Sequence, residues 1–239
     1  MFTGTILNAA GIVAGGVLGL TLPRQLSAPT QLALRGLLGV ATVWLGLRLT
    51  WGSLNGSLLQ MFKQFLVLLL ALMLGRLTGR LLGVQAALSR LGKVANERFA
   101  AARAGDPNLF SEGFWICSIL FCAGPLGPLG SIVEGLGGGC WPLAIKTIMD
   151  CLAVMGLTRM FGWGALLSAV PVGALQFTIT AGVVRLQPVL DSHGLVDATN
   201  AAVGMLIFCV ALMLLEIKHL RLGDYLPSIL LAPLITWLW

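Results

Sequence analysis

The stretch Phe114–Phe161, FWICSILFCAGPLGPLGSIVEGLGGGCWPLAIKTIMDCLAVMGLTRMF, decides the fold of this chain. It is apolar enough to lie within a membrane, yet Gly124-Pro125 and Gly127-Pro128 interrupt any helix that passes through it. Interrupted backbone at membrane depth is tolerated only where protein or a water-filled cavity covers it. Because transporters place solute and ion sites at such breaks, we expect the functional site here.

The composition of the chain is that of an integral membrane protein. Of its 239 residues, 57% are hydrophobic and 10% are charged, and the mean hydropathy is +0.94, whereas a soluble domain carries about 25% charged residues. The net charge of +6 is concentrated in the segment 76–108. We interpret this charge as an orientation signal and expect the lipid bilayer, not a nucleic acid, as the partner of this surface.

Hydropathy predicts an all-α, polytopic transmembrane bundle of seven or eight spans that forms one domain, residues 1–239. The expected spans are about 4–22, 32–51, 62–82, 114–132, 141–161, 164–186, 200–217 and 225–239. The fourth and fifth, within the segment 113–162, form a broken helix pair, for which a re-entrant pair is the alternative. The eighth is short for a straight span, so a partly interfacial position is its alternative.

The basic residues predict the orientation of the bundle. The segment 84–112 has apolar residues spaced for one helix face, so we expect an amphipathic helix on the cytoplasmic membrane surface. The basic segment 76–108 is expected in the cytoplasm. Alternation of the spans then places the turn with Arg24 in the cytoplasm as well, and both termini outside.

Two triplets of spans, residues 1–83 and 163–239, resemble each other weakly. Gly4–Ala9 matches Gly164–Ala169, which pairs Asn8 with Ser168. Five crossings separate the first span from the sixth, so the triplets would be inverted in the membrane, a common plan of secondary transporters. This repeat would also bring Asn8 and Ser168 near the centre of the bundle.

Lys146 and Asp150 are the ionisable pair within this stretch, spaced to meet on one helix face. We predict that Asp150 helps to bind a cation or proton and that Lys146 tunes or competes with it; a neutralised structural pair, or Lys146 at the external interface, is the alternative. Glu134 lies beside a glycine run in the expected external loop, where it is either an entrance group that favours cations or a solvated loop acid.

Uncharged groups complete the candidate substrate- or ion-binding site. The break at Gly124–Gly130, with Gly124 as its candidate site residue, exposes backbone groups that can hold an ion or an anionic group. For Asn8, an interhelical hydrogen bond is the alternative to a ligand contact. The polar side chains that could join the break are Asn8, Ser118, Ser131, Ser168, Gln176 and Thr180.

These residues carry a resemblance to a bacterial family labelled domain of unknown function 554, over nearly the whole chain. The motifs are Asn8 with Gly15-Gly16, Phe121-Cys122-x-Gly124, Gly130–Leu136, Lys146-xxx-Asp150, Gln176 after Pro171, and Leu226-Pro227. Where the family often has an acid in the glycine-rich turn, this chain has Gly139-Cys140. The resemblance implies a multi-pass protein of the bacterial inner membrane and supplies no activity.

We therefore expect a secondary transporter or permease for a small ion or small polar solute, with sodium or a proton as a possible coupling cation. The five cysteines and two histidines have no metal-ligand spacing, so no cofactor or metal site is expected. No catalytic constellation is recognisable, so an enzyme is not expected. The alternative is a structural or regulatory membrane subunit. Homo-oligomers could form through the glycine faces of the first and third spans.

Overall fold

A computed structural model describes residues 2–22, 27–103 and 108–239; the turn with Arg24 lies outside these residues. Every regular element in the described ranges is helical, in agreement with the predicted all-α class. The helices are α1 Thr3–Thr21, α2 Ala28–Gly52, α3 Leu58–Leu81, α4 Val84–Arg103, α5 Leu109–Ala123, α6 Leu126–Gly135, α7 Trp141–Phe161, α8 Trp163–Leu166, α9 Ala169–Ser192, α10 Val196–Leu214, a 3-10 turn Leu222–Tyr225, and α11 Ser228–Leu238.

Six helical segments are long and apolar enough to span a membrane, in the part of the chain that the structure describes. They are α1, α2, α3, α7, the continuous segment Trp163–Ser192 and α10. A seventh span is formed if α5 and α6, which meet at a bend of 58°, are counted together. A polytopic bundle is thus confirmed, and α5 already begins at Leu109, inside the segment that we expected to lie on the membrane surface.

The bent pair α5–α6 runs from one end of the bundle to the other. Gly113 of α5 lies against Phe161 at the end of α7, whereas Gly130 of α6 lies against Leu143 near the beginning of α7. Helices α1 and α7 are parallel, because Gly4 lies opposite Leu143 and Gly19 lies opposite Met155. Parallel α1 and α7 require an even number of crossings from one to the other, so the re-entrant alternative for this pair is wrong.

The last apolar segment lines the third span. Ser228 lies against Gly75 of α3, and the carbonyl of Trp239 accepts a hydrogen bond from Lys63 at 3.3 Å. Helix α3 and the C-terminal segment are therefore antiparallel. From Lys63 to Gly79, which contacts Asp224, α3 rises about 24 Å. The C-terminal segment from Asp224 to Trp239 thus runs alongside most of the length of α3.

The three helix pairs that the proposed repeat relates are all antiparallel neighbours. Ala9 of α1 lies opposite Gly173 of α9, and Gly16 of α1 lies opposite Leu166 of α8, which directly precedes α9 in the same membrane-spanning segment. In α2 and α10, Gly39 lies opposite Leu215, and Gly46 lies against Gly204 and Phe208. Opposite directions are what inverted triplets require, but these contacts do not test whether the triplets superimpose, so the repeat stays a prediction.

The glycine faces predicted for self-association are used inside the chain. Gly15 of α1 packs against the backbone of Cys151 in α7, and Gly75 and Gly79 of α3 pack against the C-terminal segment. Removal of side chains lets helix backbones approach closely in a membrane. These glycines therefore join helices of one chain, and a homo-oligomer stays a prediction.

Candidate functional site

The break between α5 and α6 leaves one backbone carbonyl without its usual helical donor. Pro125 lies four residues after Phe121 and has no N–H, so the Phe121 carbonyl cannot receive an ordinary helical hydrogen bond. Lys146 of α7 supplies the missing donor, with Nζ 3.1 Å from that oxygen. The buried lysine thus replaces the helical hydrogen bond that the break removes.

Lys146 also forms a buried ion pair with Asp150, one turn further along α7. The Nζ–Oδ2 distance is 2.6 Å, and the two side chains are only 5% and 9% exposed. Asn8 of α1 donates from Nδ2 to the same carboxylate oxygen at 3.2 Å. The alternative of Lys146 at the external interface is wrong, because its side chain is buried. The interhelical hydrogen bond considered for Asn8 is present.

Three side chains around this pair have polar atoms that meet no partner among the described residues. They are the Oδ1 of Asn8, the Oγ of Ser131, and both the Nε2 and Oε1 of Gln176. Asn8 and Ser131 are 0% exposed and Gln176 is 1% exposed. Unpaired buried polar groups cost free energy in any protein interior. Here they indicate places where water or a solute can bind.

The hydrogen bonds around α6 bring the other helices to the same depth. Thr180 of α9 donates from Oγ1 to the Ser131 carbonyl at 3.2 Å. One turn earlier, the position that a Cβ of Gly127 would occupy is 3.0 Å from Lys146 Cε and 3.6 Å from Gln176 Nε2. Helices α1, α6, α7 and α9 therefore meet at one polar centre. Gly124 borders it, since its Cβ position is 3.9 Å from Lys146 Nζ.

Glu134 is placed differently from the sequence expectation. It lies in the last turn of α6, not in a loop, and is 6% exposed, so the alternative of a solvated loop acid is wrong. Its carboxylate accepts hydrogen bonds from the backbone N–H groups of Gly4 and Thr5 and from the Thr5 hydroxyl. A carboxylate at a helix N-terminus is favoured by the helix dipole. Glu134 thus caps α1.

Two other predicted site residues stay apart from the polar centre. Ser168 is buried at the start of α9, where its hydroxyl donates to the carbonyl of Ala165. Gly173, five residues later, is the residue opposite Ala9, so Ser168 lies about 9 Å along the helix axis from the level of Asn8. Whether both residues lie near the centre of the bundle stays a prediction. Ser118 bonds the carbonyl of Phe114 within α5.

Two cavities approach α6 from opposite ends. One, of about 260 Å³, reaches the break and is lined by Cys122, Ala123, Pro125 and Pro128 together with residues of α4 and of the segment 220–226. The other, of about 280 Å³, reaches the opposite end of α6 at Val133. Its remaining lining includes Arg48, Trp141, Asp197 and Asn200. Within the described residues, α6 thus lies between the two openings.

Sequence reasoning missed two contributors to this region, the Phe121 carbonyl and Thr5, whereas Gly127 lies within the predicted break. The Phe121 carbonyl had a readable signal, because a proline four residues later always removes a helical donor. Thr5 had none, since its role depends on which helix packs against it. Among the described residues, no group of three or more His, Cys, Asp or Glu side chains is placed to hold a metal ion.

The comparisons with known proteins agree with the resemblance. The chain is 24% identical over 240 aligned positions to an uncharacterized protein, YqgA, of Escherichia coli (strain K12), which covers all of this chain and 98% of the relative. It is 25% identical over 234 positions to an uncharacterized membrane protein, YdfK, of Bacillus subtilis (strain 168), covering 98% and 95% of the two chains. No solved structure matches the chain.

The family comparison covers almost every residue discussed above, from the start of α1 to the end of α11. The match extends over residues 3–237 and is to the family described as protein of unknown function DUF554. Both relatives are named as uncharacterized, and the one from Bacillus subtilis is named as a membrane protein. The chain belongs to the DUF554 family.

Proposed function

We propose that this chain is a secondary transporter or permease that binds a small ion or small polar solute at the break between α5 and α6. The observation that carries the proposal is the polar centre itself: a buried Lys146–Asp150 pair at a broken helix, surrounded by polar atoms of Asn8, Ser131 and Gln176 without partners in the described chain. Ionisable groups at membrane depth are costly, and they usually mark a transport pathway.

Access to this centre supports transport over simple binding. The cavities at Pro125 and at Val133 approach α6 from the two ends of the bundle. Neither cavity is lined by the polar centre itself, so transport would require a rearrangement around α6 that opens the centre to each cavity in turn. Lys146 and Asn8 hold the Asp150 carboxylate through their side chains. Both side chains can therefore exchange partners without loss of any helical backbone hydrogen bond.

The orientation and the location belong to the same proposal. The basic residues in the last turns of α3, Arg76 and Arg80, and those of α4 lie at the end of the bundle where the cavity at Pro125 opens, whereas Lys63 of α3 lies at the other end. By the positive-inside rule this end faces the cytoplasm and the other end, with both termini, faces outward. We place the protein in the bacterial inner membrane. We propose a proton or a sodium ion as the coupling cation. We do not propose an enzymatic activity.

A thermal-shift screen of the purified protein tests the proposal. The probes are salts of lithium, sodium and potassium, inorganic anions, and small polar metabolites. A ligand that binds only the folded state raises the melting temperature by mass action, by roughly 5–10 °C at a hundredfold excess over Kd. The matched variants are Asp150→Asn and the double variant Lys146→Met/Asp150→Asn, in which no charge is left unpaired.

A concentration-dependent shift that both variants lose would support the transporter. The rival is a structural or regulatory subunit, in which the pair only holds helices together. That rival predicts a flat screen and a double variant that is as stable as the parent protein. Ligand responses that persist in both variants would place the site elsewhere in the bundle.

A further inference from the structure

We propose that the polar centre binds an anionic group, either a small inorganic anion or the carboxylate of a small organic solute, at the N-terminus of α6. This inference deepens the proposed function and rests on it, because it names the chemical class of the substrate at the same site. The ligand would be held by the first turn of α6, by Lys146 Nζ and by Gln176 Nε2.

The first argument is the position of the helix end. The ten residues of α6 begin at Leu126, directly after the break, and their N-cap residue Pro125 offers no side-chain oxygen. A helix N-terminus carries a partial positive charge that attracts anions. In α6, Pro128 has no N–H, and the N–H groups of Gly127 and Leu129 donate to the carbonyls of Gly124 and Pro125, so the helix end offers its partial charge and the N–H of Leu126. The same bundle contains this arrangement in a filled form, since the N-terminus of α1 holds the carboxylate of Glu134.

The second argument is an unpaired donor that is aimed at this helix end. Gln176 is 1% exposed, its Nε2 meets no partner in the described chain, and it lies 3.6 Å from the Cβ position of Gly127. Lys146 Cε lies 3.0 Å from the same point. Because Gly127 is the second residue of α6 and has no side chain, Lys146 and the Gln176 amide both approach the helix end closely. A Cβ at Gly127 would press on Lys146 Cε, so a ligand enters only when the lysine side chain moves aside.

The sign of the local charge selects an anion over a cation. At the polar centre, the described charged side chains are Lys146 and Asp150, which neutralise each other, and the carboxylate is held on Oδ2 by both Lys146 and Asn8. A cation in front of Gly127 would meet the positive helix end and the ammonium. An anion there is attracted by both and accepts a hydrogen bond from Gln176.

The route to the site has the same preference. The cavity of about 260 Å³ that reaches Pro125 and Pro128 opens at the end of the bundle that carries α4. Exposed basic side chains are grouped there, including Arg80, Arg90 and Lys93. The residues that line the cavity are themselves uncharged. Basic side chains near its opening raise the local concentration of small anions at this end of the bundle.

The test uses the full-length protein in lipid nanodiscs and follows thermal unfolding. The probes are N-methyl-D-glucamine salts of chloride, nitrate, formate and acetate, added to a background of N-methyl-D-glucamine HEPES, so that the cation never changes. Gly127→Ala fills the space in front of the helix end, and Gln176→Leu removes the donor. Gly156→Ala is the matched control, because a Cβ at Gly156 meets nothing within 4 Å.

The expected result is a saturable rise in melting temperature with at least one anion. Its apparent Kd should weaken by about tenfold to a hundredfold in Gly127→Ala and in Gln176→Leu, the loss typical of a hydrogen bond to a charged group. The control variant should respond like the parent protein. Responses to chloride or nitrate would identify a free anion as ligand, and responses confined to formate and acetate would identify a carboxylate.

Two outcomes would overturn this inference. One is the absence of any anion response in a parent protein that does respond to cations or neutral solutes, which would leave the proposed transporter intact. The other is an anion response that Gly127→Ala and Gln176→Leu both retain. If either variant unfolds on purification, the other one decides, since the two changes act on different helices.

Discussion

Two buried carboxylates, Glu134 and Asp150, show how differently this bundle uses the same chemical group. Glu134 is held by backbone N–H groups at the start of α1 and by the Thr5 hydroxyl. Asp150 is held by two side chains, the ammonium of Lys146 and the carboxamide of Asn8. The first set of donors is fixed by the helix, whereas the second can move.

This difference separates a structural role from a functional one. A helix N-terminus cannot rotate away from its cap without unwinding, so Glu134 ties α6 to α1. Lysine has four rotatable side-chain bonds and can leave Asp150 when a ligand competes for it. We therefore expect changes at Glu134 to alter stability, and changes at Asp150 to alter the response to ligand.

The largest effect is expected when one partner of the Asp150 site is removed. Lys146→Met leaves a buried carboxylate without its counter-charge, which costs about 3–5 kcal/mol. The double variant Lys146→Met/Asp150→Asn should recover most of this loss, because no charge stays unpaired. Thermal unfolding in detergent measures both, with the exposed Lys218→Met as control. Equal instability of the single and double variants would contradict this account.

A smaller effect is expected from separating α1 from α7 without any change in charge. A Cβ at Gly15 would lie 2.5 Å from the carbonyl oxygen and 2.8 Å from the Cα of Cys151. Gly15→Ala should therefore lower stability by about 1–3 kcal/mol and weaken any ligand response that depends on Asn8. Gly36→Ala, where a Cβ meets nothing within 4 Å, serves as the control. A Gly15→Ala variant as stable as the Gly36→Ala protein would show that the helices are not tightly packed.

The change Glu134→Gln tests the other carboxylate. It removes the charge at the N-terminus of α1 and presents an amide group to donors, which should cost about 1–2 kcal/mol. Ligand response in the thermal-shift screen should persist. Loss of the ligand response in Glu134→Gln, at unchanged stability, would reverse the roles assigned to the two carboxylates.

Cysteine labelling tests the side of the membrane on which Glu134 lies. The single cysteines are at exposed positions, so no change in stability is expected. Asp191→Cys, at the Glu134 end of the bundle, should react with an impermeant maleimide on intact cells. Lys93→Cys, in α4, should react only after lysis. Both are made in a protein without its native cysteines. The opposite pattern would invert the proposed orientation.

The course of the helices could be predicted well because each span depends on its own sequence. Apolar runs of about 20 residues form membrane helices wherever the lipid is the solvent. The predicted 141–161 coincides with α7, Trp141–Phe161. The break at Gly124-Pro125 was equally local, because proline interrupts a helix in any context. Boundaries at the surface, such as the start of α5 at Leu109, were predicted less well because no lipid defines them.

The candidate site could be predicted only in part, because its membership depends on the approach of distant helices. Lys146 and Asp150 meet one turn apart on a single helix, so their spacing was sufficient. Glu134 is followed by glycines that are typical of a loop, yet it is buried because the N-terminus of α1 packs on it. Ser168 has a polar side chain at a suggestive position in the repeat, but a local hydrogen bond satisfies it.

The sequence by itself determined that this protein is a membrane bundle, where its helices run, and where one of them breaks, because hydropathy and proline act within a single segment. The tertiary structure decided which glycine faces are filled by the same chain, which carboxylate caps a helix, and which polar atoms are left without partners. Those outcomes depend on pairs of residues more than 100 positions apart, such as Asn8 with Asp150, and only the packing of the helices brings such pairs together.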